Sequence, residues 1–237
     1  MTSPALLVHS GGFTSRQWKN LEAALAPTHR VLAPDLVGYG ARPRWPLAEP
    51  FHFQTDVELL MSIATEPMHV VGHSYGGLLA LQLALQQPDR VRSLTLYEPV
   101  AFGVLERAEF DLPAIDPAAP DGWLEAFVDW WNGPGAWHKL GDETKAAFRD
   151  VAWKLSEEVR SLSIDRTGAR YAEVDQPTLL LGGGKTTALE RAVLDALAVT
   201  LPHATLRIFP ELGHMGPITH AAAVNAAIVE HVIACDR

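Results

Sequence analysis

A short stretch of the chain, residues 68–80, constrains the fold more than any other. Residues 68–71 form an apolar run typical of a buried strand, and the residues after Gly76 form an apolar run of helical character. Between them stands the pattern G-x-S-x-G, made by Gly72, Ser74 and Gly76. Glycines fit the two positions where a Cβ would collide with backbone in so sharp a turn. The pattern predicts a strand, a tight turn and a helix, with the serine side chain directed out of the turn toward a substrate; a structural turn with a passive serine is the alternative.

Strand and helix patterns alternate over most of the rest of the chain. Apolar runs predict strands at residues 5–8, 29–33, 68–71, 91–97, 178–181 and 205–209. Helical patterns fall at residues 16–26, 51–65, 75–87, 189–199 and 221–233. Strands that alternate with helices at this spacing indicate βαβ units and a parallel sheet.

The alternation stops between residues 100 and 175, where the pattern is helical with proline and glycine interruptions. We therefore predict a core of residues 1–99 and 176–237, with a helical cap inserted at residues 100–175. Five of the seven tryptophans lie in the inserted segment, namely Trp123, Trp130, Trp131, Trp137 and Trp153. They either pack the segment onto the core or form an apolar lid over a site.

Composition excludes several classes of function. A formal net charge of −9 and the lack of a basic run argue against a nucleic-acid partner. The single cysteine, Cys235, allows no internal disulfide and offers no cysteine-based metal site. No apolar run approaches the roughly 20 residues that span a bilayer, and no signal-peptide pattern stands at the start. We expect a soluble cytoplasmic protein, without a membrane partner, that acts on a small molecule.

A glycine-rich stretch at residues 182–184, followed by Lys185, resembles a phosphate-binding loop only superficially. A P-loop needs a glycine five positions before Gly184, and Leu179 stands there. We therefore predict no nucleotide, and the sequence indicates neither a cofactor nor a metal.

Ser74 needs a base, because its hydroxyl must lose a proton when it attacks. Of the ten histidines, His214 lies in a glycine-bracketed loop directly after the last predicted strand. That position is at the carboxyl edge of the sheet, where Ser74 also lies and where open α/β sheets bind ligands. His220 is interpreted as a surface or capping residue. His69 and His73 lie too close to Ser74 in the chain to serve, and His73 is interpreted as a packing residue.

Together these residues resemble the α/β-hydrolase superfamily over nearly the whole chain apart from the cap. The matching motifs are His9-Ser10-Gly11-Gly12, the run from Asp35 to Gly40, the run from Gly72 to Gly77, and Gly213-His214. The resemblance implies a mostly parallel sheet of about six strands flanked by helices. It further implies that Ser74 is the nucleophile and that His214 is the general base and then the general acid. Family members place two strands before the one that ends at His9, so we expect an exposed sheet edge, which a homodimer would cover.

The resemblance also implies an oxyanion hole. Its two backbone donors would be Tyr75, the residue after the nucleophile, and Gly11 in the loop after the first strand, with Gly12 close behind. Ser10 stands where the family usually has glycine and could add a hydroxyl to the site. Asp35 is expected to shape its turn rather than take part in chemistry.

The family's usual catalytic acid has no counterpart here. It normally follows the strand at residues 178–181, yet residues 182–189 contain neither Asp nor Glu. Some family members take the acid from the end of the preceding strand, where this chain has Glu98. A carboxylate there needs a partner to offset its desolvation, and an imidazole N–H would supply one. Glu98 is the predicted acid; the alternatives are Glu190, a Ser-His dyad without an acid, and an exposed Glu98 without a role.

A serine, a histidine and an oxyanion hole suit acyl transfer to water. The tryptophan-rich segment favours a compact apolar acyl group. We predict hydrolysis of small carboxylic esters or lactones through an acyl-enzyme, with hydrolysis of a carbon–carbon bond in a diketone as the second choice. A ligand-binding member without turnover, a hydroxynitrile lyase and cofactor-free oxygen chemistry remain as alternatives.

Overall fold

The computed structural model describes residues 3–105 and 112–237, and within them the framework is a six-stranded parallel sheet. The strands are β1 (Ala5–Val8), β2 (Val31–Leu32), β3 (Met68–His73), β4 (Val91–Tyr97), β5 (Thr178–Gly183) and β6 (Ala204–Phe209). They lie side by side in the order β2-β1-β3-β4-β5-β6, and every neighbouring pair is parallel. The predicted fold class is confirmed.

Helices follow most of the strands. They are α1 (Lys19–Leu25), α2 (Gln54–Ile63), α3 (Tyr75–Gln86), α4 (Asp121–Asn132), α5 (Ala136–Lys139), α6 (Asp142–Ser163), α7 (Ala188–Thr200), α8 (Gly216–Thr219) and α9 (Ala221–Cys235). Helices α4 to α6 lie between β4 and β5 in the chain, within the predicted cap. The boundaries of that cap stay a prediction, and its residues 106–111 lie outside the described residues. None of the helices in the described part of the chain is long and apolar enough to cross a membrane.

Two elements differ from the prediction. Strand β2 has only two residues, because His29 N–H donates to Leu25 O at the end of α1 and Pro34 carries no N–H for a further ladder bond. The loop after His214 contains the short helix α8, which has Pro217 in its first turn. Proline is favoured there, because the first N–H groups of a helix lack an internal acceptor.

The sheet is buried on both faces, as its apolar strands require. Along β1 the side chains alternate, with Leu6 and Val8 in one hydrophobic cluster and Ala5 and Leu7 in the other. Helices α2, α3 and α7 cover the first face, and helices α1 and α9 cover the second. Helix α3 is apolar nearly all round, and ten of its residues are buried.

Helices α4 to α6 form a third hydrophobic cluster of their own. Two of the predicted cap tryptophans, Trp123 and Trp137, are buried in it together with Phe148 and Leu155. These two residues therefore pack the helices of the segment against one another and not chiefly onto the core. Trp131 belongs to the same helix as Trp123 but contacts other residues, described below.

The order of the strands places a crevice beside Ser74. The chain passes from β1 outward to β2 and then crosses to β3 on the other side of β1. The carboxyl ends of β1 and β3 therefore flank the point where the strand order reverses, which is where open α/β sheets bind ligands. The loop that follows β1 contains Gly11, and Ser74 directly follows β3.

Candidate active site

Ser74 occupies the strained turn between β3 and α3. Its backbone angles are φ 55° and ψ −118°, a conformation that residues other than glycine rarely adopt. A Cβ on Gly72 would lie 2.4 Å from Gly76 O, and a Cβ on Gly76 would lie 2.3 Å from Val8 O. Both glycines are therefore required by backbone contacts, and the turn holds the Ser74 side chain at the carboxyl edge of the sheet.

His214 lies within hydrogen-bond distance of Ser74. Its Nε2 atom is 3.0 Å from Ser74 Oγ, although 140 residues separate the two in sequence. His214 is buried, in the segment between β6 and α8. The indole of Trp131 stacks on its ring, with 3.8 Å between ring centroids and 20° between planes.

Glu98 completes the hydrogen-bonded chain. Its Oε2 atom lies 2.7 Å from His214 Nδ1, and the residue is fully buried at the end of β4. Gly183 N–H donates to Oε1 at 2.7 Å, and the Thr186 hydroxyl donates to Oε2 at 2.7 Å. Both of these donors belong to the segment where the family usually has its acid. In this chain the segment binds the carboxylate instead of supplying one.

These contacts fix the tautomer of His214. A carboxylate can only accept hydrogen bonds, so His214 carries its proton on Nδ1 and donates it in a hydrogen bond to Glu98. The lone pair on Nε2 then faces the Ser74 hydroxyl, as a general base requires.

Glu190 does not reach this chain of hydrogen bonds. It is fully buried in the first turn of α7, and neither carboxyl oxygen has a partner in the part of the chain that the structure describes. Burial, together with the nearby Glu98, raises the pKa of Glu190 well above its ordinary value. Burial therefore favours the neutral form of this carboxyl. The partner of a catalytic imidazole should instead be ionised.

The backbone groups predicted for the oxyanion hole differ in their partners. Gly12 N–H already donates to Tyr39 Oη at 3.1 Å. Within residues 3–105 and 112–237, the N–H groups of Gly11 and Tyr75 donate to no protein acceptor. Both belong to segments that flank Ser74, so these two are the donors available to an oxyanion.

A second network joins the loop after β1 to His214, and sequence reasoning missed it. Gln17 Oε1 accepts from the Ser10 hydroxyl at 3.0 Å, and Gln17 Nε2 lies 3.1 Å from His73 Nδ1. His73 Nε2 lies 2.9 Å from His214 O. Burial and the neighbouring His214 lower the pKa of His73 well below its ordinary value, so His73 is neutral and donates from Nε2. His73 thus holds the His214 backbone as well as packing in the core.

Three ionisable side chains are buried beside the pocket, and they too were missed. Lys154 and Glu158 lie four residues apart on α6, and Asp56 lies on α2. Lys154 Nζ donates to Asp56 Oδ2 at 2.9 Å and to Glu158 Oε1. The sequence did contain a signal for two of them. Lys154 and Glu158 lie on the same side of α6 as the buried Leu155, and charged residues on the core side of a helix are unusual.

The remaining candidates lie away from Ser74. Asp35 accepts from Ser15 N–H at 2.8 Å and Ala41 N–H at 3.2 Å, so it shapes its turn as expected. His220 is exposed at the start of α9. Lys185 is exposed and pairs with Glu211.

One cluster in the described residues has the composition of a metal site, formed by His29, His69 and Asp236. The Nε2 atom of His29 lies 2.9 Å from one Asp236 oxygen, and that of His69 lies 3.1 Å from the other. Arg92 Nε lies 3.9 Å from the same carboxylate and supplies positive charge. These contacts give each group a partner and fix the end of α9 to the core. The cluster is remote from the candidate site, because His69 lies at the opposite end of β3 from Ser74.

A largely apolar cavity of about 420 Å³ opens above Ser74 and His214. Its aromatic lining includes Phe13, Tyr75, Phe102, Phe127, Trp130, Trp131 and Phe148. Ser10 and Glu158 are among its polar lining residues. A volume of this size suits a small organic molecule.

The parallel sheet, the serine at its strained turn and the histidine after the last strand define the class of this protein. The chain belongs to the alpha/beta hydrolase family, whose model matches residues 5–227. It is therefore an enzyme of the α/β-hydrolase type.

Individual relatives agree with this membership. The chain is 36% identical over 235 residues to pimeloyl-(acyl-carrier protein) methyl ester esterase of Neisseria meningitidis serogroup C, covering 93% of this chain and 90% of the relative. It is 26% identical over 259 residues to 2-hydroxymuconate semialdehyde hydrolase of Pseudomonas putida, covering 98% and 87%. The solved esterase EaEST from Exiguobacterium antarcticum matches with a TM-score of 0.77 over 97% of this chain and 91% of that one, at 16% identity, and so supports the fold alone.

Proposed function

We propose that this protein is a serine hydrolase that cleaves small, apolar carboxylic esters or lactones. The observation that carries the proposal is the hydrogen-bonded chain from Ser74 Oγ to His214 Nε2, at 3.0 Å, and from His214 Nδ1 to Glu98 Oε2, at 2.7 Å. Nucleophile, base and orienting acid are thus within reach of one another before any substrate binds.

In the proposed mechanism, Ser74 Oγ attacks the ester carbonyl while its proton passes to His214 Nε2. The negative oxygen of the tetrahedral intermediate is bound by the N–H groups of Gly11 and Tyr75. Collapse of the intermediate breaks the bond to the alcohol, which leaves with the proton from His214. Water then attacks the acyl-enzyme, with His214 again as the base, and the acid departs as Ser74 regains its proton.

Glu98 orients His214 and stabilises the imidazolium that forms in each step. Trp131 supports the same charge, because an aromatic face attracts a cation. Stacking of the indole on His214 at 3.8 Å also keeps water from that side of the ring.

The lining of the cavity supports an apolar acyl or alkyl group. Aromatic side chains line much of the space above Ser74, and a volume of about 420 Å³ falls within the range of sites that bind small organic molecules. The esterase relative from Neisseria meningitidis is consistent with ester hydrolysis.

Hydrolysis of a carbon–carbon bond is the second candidate, since the chain is 26% identical to a 2-hydroxymuconate semialdehyde hydrolase. That reaction would use the same serine, histidine and oxyanion donors. A vinylogous diketone substrate separates the two candidates, because an esterase would leave it intact.

The test is covalent labelling of the purified chain with a fluorophosphonate, followed by a substrate panel. We expect stoichiometric labelling at Ser74, none in Ser74→Ala, and labelling slowed by about 10³-fold or more in His214→Gln. The panel contains p-nitrophenyl esters of increasing chain length, a lactone and the diketone. A folded parent that fails to label, as a ligand-binding member without turnover would, refutes the proposal.

A further inference from the structure

Lys154, Asp56 and Glu158 form a cluster of charges that the proposed reaction leaves unused. Their side chains are at most 2% exposed, and Lys154 Nζ contacts both carboxyl groups. The ammonium also lies 4.4 Å from the centroid of the Tyr39 ring. Burying such a group is costly, and apolar side chains of similar size are often at least as stable. We call these three residues the Lys154 cluster.

The Lys154 cluster contacts the residue that follows the nucleophile. Tyr75 Oη donates to Asp56 Oδ2 at 2.9 Å, the same oxygen that accepts from Lys154. Asp56 Oδ1 accepts from Val37 N–H at 2.8 Å. The side chain of Tyr75 is thereby anchored, and with it the backbone N–H at the start of α3.

The Lys154 cluster also contacts the loop after β1. Glu158 Oε2 accepts from Tyr39 Oη at 3.0 Å, and Tyr39 Oη accepts from Gly12 N–H at 3.1 Å. Helix α6 packs directly on the neighbouring residue, since a Cβ on Gly11 would lie 2.7 Å from Glu158 Oε2. Both backbone segments that flank Ser74 are thus tied to one cluster.

We propose that the Lys154 cluster positions the two backbone segments of the oxyanion hole and limits the negative charge beside it. Asp56 and Tyr75 hold the donor at the start of α3, while Glu158 and Tyr39 hold the loop that carries Gly11. This proposal rests on the proposed function, because it assigns the cluster to the oxyanion hole of that reaction.

The charges of the surrounding groups give the proposal a pH signature. Glu158 faces Lys154 on its own helix, Asp56 on α2, Tyr75 on α3 and Tyr39 in the loop after β2. Burial raises the pKa of Glu158 to about 7, Lys154 opposes that shift, and Asp56 adds to it. Burial raises the pKa of Tyr39 and of Tyr75 well above the ordinary value, so both stay neutral.

His9 is a further titratable group near this site, and it in turn lies near Asp35. Its ring packs on Tyr39 with 5.3 Å between centroids, and burial lowers its pKa to about 4. His9 is therefore uncharged across the neutral range. Below about pH 7 Glu158 is protonated and neutral, so the cluster holds one cation, Lys154, and one anion, Asp56. Above that pH the cluster gains a negative charge next to Gly11, which opposes an oxyanion.

The first test compares the rate of fluorophosphonate labelling of the parent with that of Glu158→Gln between pH 6 and pH 9. Both proteins share Ser74, His214 and Glu98, so the ratio of their rates reports the change at Glu158. At pH 6 we expect the two proteins to label at rates within about threefold of each other. At pH 8.5 we expect the variant to label about fivefold or more faster than the parent, because the charges on Glu158 and on the oxyanion interact through an effective dielectric constant of about 20. A ratio that does not change with pH overturns the charge part of the proposal.

The second test removes single hydroxyl groups without changing any charge. Tyr39→Phe and Tyr75→Phe should each slow labelling about tenfold and lower kcat more than they change KM, since the donors then lose their fixed positions. Tyr171→Phe is the matched control, because Tyr171 is equally buried but bonds Gln82 and Thr167. We expect it to label at the parent rate. Circular dichroism and the melting temperature show whether each variant is folded.

The outcomes separate this proposal from the proposed function. If the parent labels at Ser74 and both tyrosine variants match Tyr171→Phe, the positioning role is overturned while the hydrolase proposal stands. If the folded parent does not label, both are overturned. If one tyrosine variant fails to fold, the other decides the positioning role through its labelling rate and its kcat, and Glu158→Gln decides the charge part through its pH dependence.

Discussion

Replacing Glu98 with glutamine should remove nearly all turnover, and the structure shows why. Three donors converge on the carboxylate, from Gly183, Thr186 and His214, each at 2.7 Å. A glutamine amide has one acceptor oxygen and one NH2 group, so one side must present donors. The Gly183 N–H cannot reverse, and the amide oxygen is therefore expected to face it. The NH2 group then faces Thr186 and His214.

The amide of Glu98→Gln would force His214 into the wrong tautomer. The Thr186 hydroxyl can rotate and accept, but Nδ1 of His214 can accept only if the proton moves to Nε2. His214 would then present an N–H to Ser74 and could not take its proton. The equivalent Asp-to-Asn change in a serine protease triad costs about 10⁴ in kcat. We expect a loss of the same order here, which corresponds to about 5.5 kcal/mol of transition-state stabilisation.

The assay is kcat for p-nitrophenyl butyrate at pH 8, with Glu190→Gln as the matched control. Glu190 is also a fully buried glutamate, but neither of its oxygens contacts a hydrogen-bond partner in the described residues. The control should keep kcat within about threefold of the parent, since glutamine mimics the neutral carboxyl. A Glu98→Gln protein that retains kcat within tenfold of the parent would falsify the reasoning, and a large loss in Glu190→Gln alone would transfer the acid role to that residue.

Three further results are expected. Trp131→Leu should lower kcat about 3- to 30-fold, because a desolvated cation–π contact with the imidazolium of His214 contributes about 0.5–2 kcal/mol, while Trp131→Phe should keep most of it; steady-state kinetics measure both. Glu190→Gln should melt at a higher temperature than the parent, by a margin that grows from pH 5 to pH 9. Because folding raises the pKa of Glu190, the parent loses stability as pH rises, whereas the amide does not titrate. A difference in melting temperature that is independent of pH contradicts this. Gly76→Ala should lower the free energy of unfolding by about 1–3 kcal/mol or prevent folding, because its Cβ would lie 2.3 Å from Val8 O; urea unfolding measures it.

Features that depend on neighbouring residues in the chain could be predicted from the sequence, and features that depend on distant residues mostly could not. The turn at Ser74 was predictable, because its two glycines and its flanking apolar runs are local features. His214 was predictable from its place after the last strand, since parallel strands bring their carboxyl ends to one edge. Glu98 required the resemblance to a family as well, and the structure places it 2.7 Å from His214.

Other features depend on contacts that no local pattern records. His73 was interpreted as a packing residue, yet it donates to the backbone of His214, which lies 141 residues further on. The spacing of Lys154 and Glu158 beside Leu155 indicates that they share its side of α6, but only the packing of α6 against α2 and the loop after β1 shows that they are buried and paired with Asp56. The predicted start of β2 was too early, because His29 N–H donates to Leu25 O in the turn after α1 and does not pair with β1.

The sequence by itself determined the parallel sheet and the strained serine turn, because periodicity and glycine placement act over a few residues; it placed His214 at the same sheet edge because parallel strands end there together. Only the tertiary structure decided which carboxylate lies against His214, which backbone donors stay available beside Ser74, and which charges lie next to them. Hydrogen bonds and desolvation depend on distances of a few ångströms between segments that are far apart in the chain. Those distances are set when the sheet and the helices above it pack together.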